Sequence, residues 1–295
     1  MGIIKYFSLL KNASELSKDL ILKFFRTWIS LFSLCWLIID FIDFYKKNHV
    51  VPWTPPPWWV CLIIATGVAL INIRPRFTRK IKVGDKDIKV VLKVKNMFSM
   101  RKHIPIIAVN DCFAHEHISK KTIQLQYRNK IFENSSQFTR LLEQELLNKS
   151  FVEKTVRNQR VKSYPIGTVL ELKTPTKKIE KAYLLVTSQL NDQGIAMPNE
   201  DHLKQALKFL WEYIASHGHR EALCIPIIGS GRNRISLNRV QLIHIIADSF
   251  LEEIKKGNKF TSELVISIYP NSFVEYKYSL NEIESYLQHV CTYNS

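Results

Sequence analysis

Glycine is scarce in this chain, which has nine glycines among 295 residues, against a usual share of ~7%. Two of the nine fall in one short stretch, "CIPIIGSGRNRI", from Cys224 to Ile235. The apolar first half of this stretch predicts a buried strand, which the two glycines would end. A glycine pair in a glycine-poor chain indicates a place where the backbone turns sharply or comes close to a ligand.

Cysteine and acidic residues are also few, and each shortage excludes a class of protein. The five cysteines are odd in number and widely spaced, without a C-x-x-C pair, which argues against a disulfide framework and favours a reducing compartment. Only 26 acidic residues stand against 42 lysines and arginines, for a formal net charge of +16. This imbalance favours an anionic partner, which is nucleic acid, anionic lipid or a phosphorylated small molecule.

Two apolar runs stand in the first part of the chain, "FFRTWISLFSLCWLIIDFIDF" at 24–44 and "PPWWVCLIIATGVALINI" at 56–73. The second run is uncharged over about the length that crosses the hydrocarbon core of a membrane, and the first has an uncharged centre. Aromatic residues near the ends of both runs are typical of membrane interfaces. The pattern predicts an N-terminal two-helix transmembrane hairpin. The alternative is two buried helices of a soluble domain.

Basic residues indicate how this hairpin would be oriented. Lysines and arginines are concentrated before the first run and after the second, with only Lys46 and Lys47 between the runs. We therefore expect a multi-pass membrane protein with both termini in the cytoplasm. Residues 1–23 are predicted to form an amphipathic helix, 24–80 the hairpin and 81–295 a cytoplasmic domain. Attraction to anionic lipid accounts for much of the positive charge, which weakens the case for nucleic acid.

Strands alternate with helices after residue 80, which predicts an α/β domain with a largely parallel or mixed sheet. Asp201 and Ser236 are the predicted N-caps of the two strongest helices. The predicted strands are at 87–98, 103–110, 167–173, 181–188, 221–228 and 263–269. The predicted helices are at 138–147, 201–218, 236–256 and 274–287.

Two loops follow buried strands, where α/β sheets bind their ligands. One consists of Asn110, Asp111, Cys112 and Phe113, and the other of Gly229, Ser230, Gly231, Arg232, Asn233 and Arg234. In the second loop, flexible backbone, arginines and the start of the next helix together predict a diphosphate cradle. The loop matches neither a Walker A motif nor the dinucleotide fingerprint. A tight turn without a ligand is the alternative.

Five segments then occur in one order over residues 104–239: "IPIIAVNDCF", "YPIGTVLEL", "KAYLLVTS", "ALKFLWEYI" and "LCIPIIGSGRNRISLNR". Together they resemble a macro domain, the ADP-ribose-binding fold. They are most similar to the macro domain of the two-span membrane effector of Thoeris antiphage systems. The resemblance therefore implies a macro-domain-like mixed sheet flanked by helices, preceded by the transmembrane hairpin.

The resemblance also implies a function. In such systems a TIR-domain partner consumes NAD and makes a signal nucleotide, here expected to be an ADP-ribose derivative such as a histidine conjugate. The macro domain binds this ligand without turning it over and needs no other cofactor. The transmembrane segments then assemble into a homo-oligomer and disrupt the bacterial inner membrane, which causes abortive infection.

Family roles carry over to particular residues of this sequence. The segment from Gly229 to Arg232 matches the loop that wraps the diphosphate and distal ribose, and Asn110 with Asp111 matches the first ligand loop. Asn96 stands where many macro domains have an aspartate for the adenine amino group. Thr122, Gln124 and Gln126 match a further ligand region loosely, and Gly167 with Thr168 matches the start of a family strand, where a structural turn is expected.

Three alternatives use other residues. An ADP-ribosyl hydrolase would need an acid–base group near the distal ribose, for which Asp111, His115, Glu116 and His117 are the candidates. A zinc site would draw on Cys112, His115 and His117 but lacks a fourth ligand. Nucleic-acid binding rests on charge alone, because no aromatic–basic interleaving or known motif is present. The resemblance favours a binding protein over each of them.

Overall fold

The computed structural model describes residues 18–48, 54–72, 76–115, 122–176, 179–231 and 235–293. The contact pattern divides the chain into two compact units, Met1–Arg76 and Phe77–Ser295. Each unit is considered by itself below.

The N-terminal unit contains two apolar helices, α1 (Lys18–Asn48) and α2 (Trp58–Asn72). Two hydrogen bonds join the first half of α1 to the second half of α2, so the helices are antiparallel. Trp28 Nε1 donates to Thr66 Oγ1 at 2.9 Å, and Asn72 Nδ2 donates to Thr27 Oγ1 at 3.1 Å. The buried residues of α2 recur every fourth position and are small, which lets the backbones approach closely: Cys61, Ala65 and Ala69.

Only one of these helices meets the length of a membrane span. Within the described residues, Leu22–Asn48 is long and apolar enough to cross a bilayer. The 15 residues of α2 extend about 22 Å, which is less than the ~30 Å of a hydrocarbon core. The apolar N-terminal segment is thus consistent with a transmembrane helix, while the second span and the orientation stay predictions. The predicted amphipathic helix at 1–23 lies largely outside the described residues.

The second unit is built on one mixed sheet. Its strands are β1 (Thr78–Lys82), β2 (Lys89–Val94), β3 (Ile104–Asn110), β6 (Val169–Lys173), β7 (Lys181–Leu190), β8 (Ala196–Met197), β9 (Leu223–Pro226) and β10 (Glu263–Ile268). The order across the sheet is β1-β2-β10-β9-β3-β7-β6, with β8 paired to β7. The five strands from β2 to β7 are parallel, whereas β1, β6 and β8 are antiparallel to their neighbours.

A separate hairpin stands beside this sheet. It consists of β4 (Val152–Val156) and β5 (Gln159–Ser163), joined by a two-residue turn. Both turn residues, Arg157 and Asn158, have positive φ, at 50° and 60°. This is the geometry of a type I′ turn, which matches the twist of the strands that it joins. The sequence analysis assigned no strand to this segment.

Helices cover the sheet. They are α3 (Ile123–Ile131), α4 (Ser135–Leu146), α5 (Glu200–His217), α6 (Arg239–Lys255), α7 (Pro270–Glu275) and α8 (Leu280–Tyr293). Between α5 and α6, the indole of Trp211 is fully buried against Phe250 and donates to Ser249 Oγ at 3.0 Å. An ion pair of 2.7 Å between Arg79 and Glu284 holds α8 on the edge strand β1. The predicted α/β class with a mixed sheet flanked by helices is confirmed.

The predicted N-caps were wrong for both long helices. Helix α6 begins after Asn238, whose Oδ1 accepts from the Gln241 amide at 2.8 Å while its own amide donates to Gln241 Oε1 at 2.9 Å. Ser236 cannot form this capping box, because the residue three positions after it is Arg239. Helix α5 is likewise capped by Asn199 rather than Asp201.

The predicted C-terminal helix at 274–287 was also wrong in its extent. The segment forms two helices, α7 and α8, interrupted after Glu275. Lys277 has a φ of 46°, which an α-helix does not contain. The break lets Phe273 and Tyr278 stack in the core, with ring centroids 6.2 Å apart.

Candidate functional site

The predicted site residues come from strands whose carboxyl ends lie at one edge of the sheet. Asn96 follows β2, the loop Asn110–Phe113 follows β3, and Gly229–Gly231 follows β9. Strands β3 and β9 are direct neighbours, and β2 lies two strand spacings, or about 10 Å, beyond β9. The topology therefore brings the described part of the predicted site together. Arg232, Asn233 and Arg234 lie outside the described residues.

Asp111 in the first loop is turned into the protein. Its side chain is fully buried, and its carboxylate accepts hydrogen bonds from Ser163 Oγ at 2.7 Å and the Leu190 amide at 2.9 Å. Lys154 forms a close ion pair with the same carboxylate and donates to the Leu190 carbonyl at 2.9 Å. Asp111 thus ties the loop to the β4–β5 hairpin and to β7. Its predicted contact with a ligand stays a prediction.

Asn110 and Phe113 hold the shape of the same loop. Asn110 Oδ1 accepts from the amides of Cys112 and Ala114 at 3.1 and 3.0 Å, and Asn110 Nδ2 donates to the Ala114 carbonyl at 3.0 Å. Phe113 has a φ of 51° and is buried, with its ring edge-on to Tyr164 at 5.4 Å. The side chains of this loop are therefore used to close the loop itself.

Cys112 is a protonated thiol in this setting. Burial, with a further contribution from the adjacent Asp111 carboxylate, raises its pKa to about 12. Its Sγ donates to Asp111 Oδ1 at 3.5 Å. Because the thiolate is the reactive form of cysteine, the loop does not present an activated nucleophile at neutral pH.

The structure describes only some of the residues that were predicted for acid–base or zinc chemistry. His115 is 9% exposed, with its Nε2 3.0 Å from Thr139 Oγ1 and its ring edge-on to Phe138 at 5.1 Å. Glu116 and His117 lie outside the described residues. Among those that the structure does describe, no group of three His, Cys, Asp or Glu side chains could hold a metal ion.

In the second loop the backbone is the prominent feature. Gly229 has a φ of +81°, and a Cβ added to it would lie 2.7 Å from Ile235 Cδ1, so the fold itself requires this glycine. Gly231 is exposed, and an added Cβ would meet no heavy atom of the described residues within 4 Å. The hydroxyl of Ser230 donates to the Ile227 carbonyl at 2.6 Å. Within the described residues, Gly231 is therefore the place where the backbone of this loop is open to a ligand.

Asn96 has one side-chain group engaged. Its Oδ1 accepts from the Phe98 amide at 3.0 Å and caps a short 3-10 helix, Met97–Ser99. The residue is half-buried, which leaves its amide nitrogen as the group for a ligand. An aspartate has no such donor, so the contact here would differ from the one that many macro domains make with adenine.

The looser candidates support local structure. Thr122 caps α3 by accepting from the Leu125 amide at 3.4 Å, and Gln124 is buried with its Nε2 donating to the Phe113 carbonyl at 3.2 Å. Gly167 has a φ of +87° in a turn where Thr168 Oγ1 donates to the Pro165 carbonyl at 2.7 Å.

A cavity of about 970 Å³ lies beside the first loop. Its floor is the segment Cys112–His115, and α4 and the β4–β5 hairpin form its walls. Helix α4 contributes Leu142 and Leu146 together with the polar chains of Thr139 and Glu143, whereas the hairpin contributes the polar chains Arg157, Gln159 and Lys162. The cavity was not predicted from the sequence, because no strand was predicted in the β4–β5 hairpin that forms one of its walls.

Solved structures with the same arrangement are macro domains. A mutant macrodomain of Oceanobacillus iheyensis superposes with a TM-score of 0.50 at 11% identity, covering 72% of this chain and 98% of that chain. The Oceanobacillus iheyensis macrodomain with ADP superposes with a TM-score of 0.51, also at 11% identity, covering 72% and 97%. At this identity the likeness defines the class of fold. The second unit of the chain is accordingly a macro domain.

The sequence itself identifies the family. The profile described as "Thoeris protein ThsA, Macro domain" matches residues 90–269, and the chain belongs to this family. A comparison with curated proteins found no match. The resemblance drawn from the sequence motifs is thus confirmed for the macro domain, and the transmembrane hairpin is supported in part.

Proposed function

We propose that this chain is an antiphage effector whose macro domain binds an ADP-ribose-derived signal made from NAD by a TIR-domain partner. Membership of the Thoeris family supports the setting, and the ADP in the Oceanobacillus iheyensis macrodomain supports the class of ligand. The observation that carries the proposal is the open backbone at Gly231, beside the first loop at the carboxyl edge of the sheet. A ligand diphosphate fits such a place, because main-chain amides bind anions without steric hindrance.

Calorimetry of the full chain in detergent tests the binding step. We expect ADP-ribose to bind and to be recovered intact. Gly231→Asp should weaken binding by about 100-fold or more, since juxtaposed like charges cost several kcal/mol. The control is Gln205→Asp, which adds the same carboxylate at an exposed position of α5. Equal binding by Gly231→Asp would refute the diphosphate assignment, and hydrolysis of an ADP-ribosylated substrate would make the protein an enzyme.

The cavity beside the first loop favours a ligand that is larger than ADP-ribose. We propose that it receives the group attached to the distal ribose, with a histidine conjugate as the expected ligand. An amino-acid carboxylate would be complementary to Arg157 and Lys162, and the aliphatic side of α4 would accommodate the remainder.

Charge reversal on the hairpin tests this assignment. Lys162→Glu should weaken the histidine conjugate about fivefold more than it weakens plain ADP-ribose, because exposed ion pairs contribute up to ~1 kcal/mol. Lys173→Glu, on the exposed end of β6, is the control. An equal effect of Lys162→Glu on both ligands would place the substituent elsewhere.

The membrane step is proposed from the apolar N-terminal helix. We propose that ligand binding drives assembly of homo-oligomers and disruption of the inner membrane, which causes abortive infection. Removal of residues 1–76, which leaves the second unit whole, should then abolish toxicity in cells that carry an active TIR partner. Persistent toxicity of the truncated chain would contradict membrane disruption.

A further inference from the structure

We infer that Arg239 is a positioning residue, which holds the Ser230 carbonyl so that the Gly231 amide faces the ligand diphosphate. Arg239 is the first residue of α6, and its Nη2 donates to the Ser230 carbonyl at 3.3 Å. This inference rests on the proposed function, because it assigns the loop amides to an anionic ligand. It assigns a role in ligand binding to a side chain outside the loop, a role that the sequence of the loop does not indicate.

Two consecutive carbonyls of the loop are held by donors from outside it. The Gly229 carbonyl accepts from the Ile235 amide at 3.1 Å, and the Ser230 carbonyl accepts from Arg239. In a trans peptide the carbonyl and the following N–H point in opposite directions. No described peptide bond is cis. The amides of Ser230 and Gly231 therefore point away from these two donors.

The two amides differ in what they can offer an anion. Ile228 and Gly229 are the central residues of a hydrogen-bonded turn, which directs the Ser230 N–H towards the Ile227 carbonyl. No described residue accepts a hydrogen bond from the Gly231 N–H. No described atom lies within 4 Å of a Cβ added at Gly231, so an anion can reach this amide.

Arg239 is itself fixed in place. Its guanidinium carbon lies 3.2 Å from the centroid of the Tyr276 ring, in a cation–π contact. Tyr276 ends α7, the helix that follows β10, and β10 is the neighbour of β9 in the sheet. The stack thus connects the glycine loop with the next strand–helix junction. A guanidinium suits this role because it is planar. Its face stacks on the tyrosine ring, while its N–H groups, which lie in the guanidinium plane, can donate hydrogen bonds at its edge.

The start of α6 is less available to an anion than the sequence indicated. The capping box of Asn238 already uses the Gln241 amide, and the helix begins nine residues after Ser230. The Gly231 amide, which Arg239 orients through the Ser230 carbonyl, is therefore the group assigned to the anion. This assignment makes Arg239 more important for binding than its distance from Gly231 along the chain suggests.

Substitution of the full chain in detergent tests the inference, with ADP-ribose as the probe. Arg239→Met should weaken ADP-ribose binding about tenfold, as expected when one hydrogen bond that supports a charged ligand is lost. Arg239→Lys should restore part of the affinity, since the ammonium can still reach the carbonyl. Tyr276→Leu should give a smaller loss than Arg239→Met. The control is Lys208→Met, which removes one exposed charge from α5.

Hydrogen exchange of the peptide that contains Ser230 and Gly231 separates positioning from a general loss of structure. ADP-ribose should slow exchange there in the wild type and not in Arg239→Met, while both proteins unfold at the same temperature. Two results would overturn this inference and leave the proposed function standing. One is wild-type affinity of Arg239→Met for ADP-ribose. The other is a lower unfolding temperature of Arg239→Met together with no recovery of affinity in Arg239→Lys. Absence of ADP-ribose binding to the wild type would overturn the proposed function as well.

Discussion

The loops after β3 and β9 are neighbours at one edge of the sheet, but they use their residues in opposite ways. The first loop contains several polar side chains, and the fold engages them: Asn110 closes the loop, and Asp111 is buried against Lys154 and Ser163. The described part of the second loop, Gly229–Gly231, contains two glycines and a serine whose hydroxyl is bonded internally, and no described residue accepts from the Gly231 amide.

This difference teaches that reactive residue types do not by themselves indicate a reactive site. The buried Asp111 carboxylate accepts from four donors and acts as an anchor, and a thiol with a raised pKa is unreactive. The described part of the second loop, Gly229–Gly231, has no ionisable side chain, yet its open amide is a group that an anion needs, because backbone N–H groups bind phosphate independently of residue type. The predictions below test this contrast.

The largest effect is expected from Lys154→Met, which removes the cation paired with Asp111. The change should lower the free energy of unfolding by about 3–5 kcal/mol, because it leaves a buried carboxylate without its counter-ion. Urea unfolding of the full chain in detergent measures this. The exposed Arg160→Met on the same hairpin should change stability by less than about 0.5 kcal/mol. Equal effects of the two substitutions would mean that Asp111 is not an anchor.

A second effect concerns the reactivity of Cys112. Its pKa rises from the ordinary 9.0 to about 12, so the thiolate fraction at pH 8 falls about 1,000-fold. Iodoacetamide labelling followed by mass spectrometry should find Cys112 nearly unmodified in the folded protein and readily modified in urea. The labelling rate should keep rising with pH beyond 10. Rapid labelling of the folded protein at pH 8 would contradict an inward-facing loop.

A third prediction is that substitution of Gly229 and of Gly231 affects stability differently. Gly229→Ala should lower the free energy of unfolding by about 1–3 kcal/mol, since an L-residue at this positive φ is strained and its Cβ contacts Ile235. Thermal unfolding of both variants provides the measurement.

The smallest effect is expected for the companion variant, Gly231→Ala. Its stability should stay within about 0.5 kcal/mol of the wild type, because the added methyl group lies within 4 Å of no atom of the described residues. Similar losses in both variants would show that Gly231 is also required by the fold, and would remove the open site.

Much of the sheet could be predicted from the sequence. The buried parallel strands β3, β7 and β9 are near-continuous apolar runs, which arise when both faces of a strand are covered. The β4–β5 hairpin was missed because it stands off the sheet and has mostly exposed residues. Its alternating pattern and the Asn158 turn were the available signals. The N-caps were misjudged because several polar residues precede each helix, and only the backbone geometry selects one.

The sequence by itself determined the apolar N-terminal helix, the α/β class, the macro-domain family and the edge of the sheet at which the two loops lie. These features follow from local patterns and from the order of the strands. Only the tertiary structure decided which groups of the loops are buried and which are open. The reason is that the partners are remote in the chain: Lys154 is 43 residues and Leu190 79 residues from Asp111. Local sequence cannot specify the direction of a side chain whose partners are brought to it by folding.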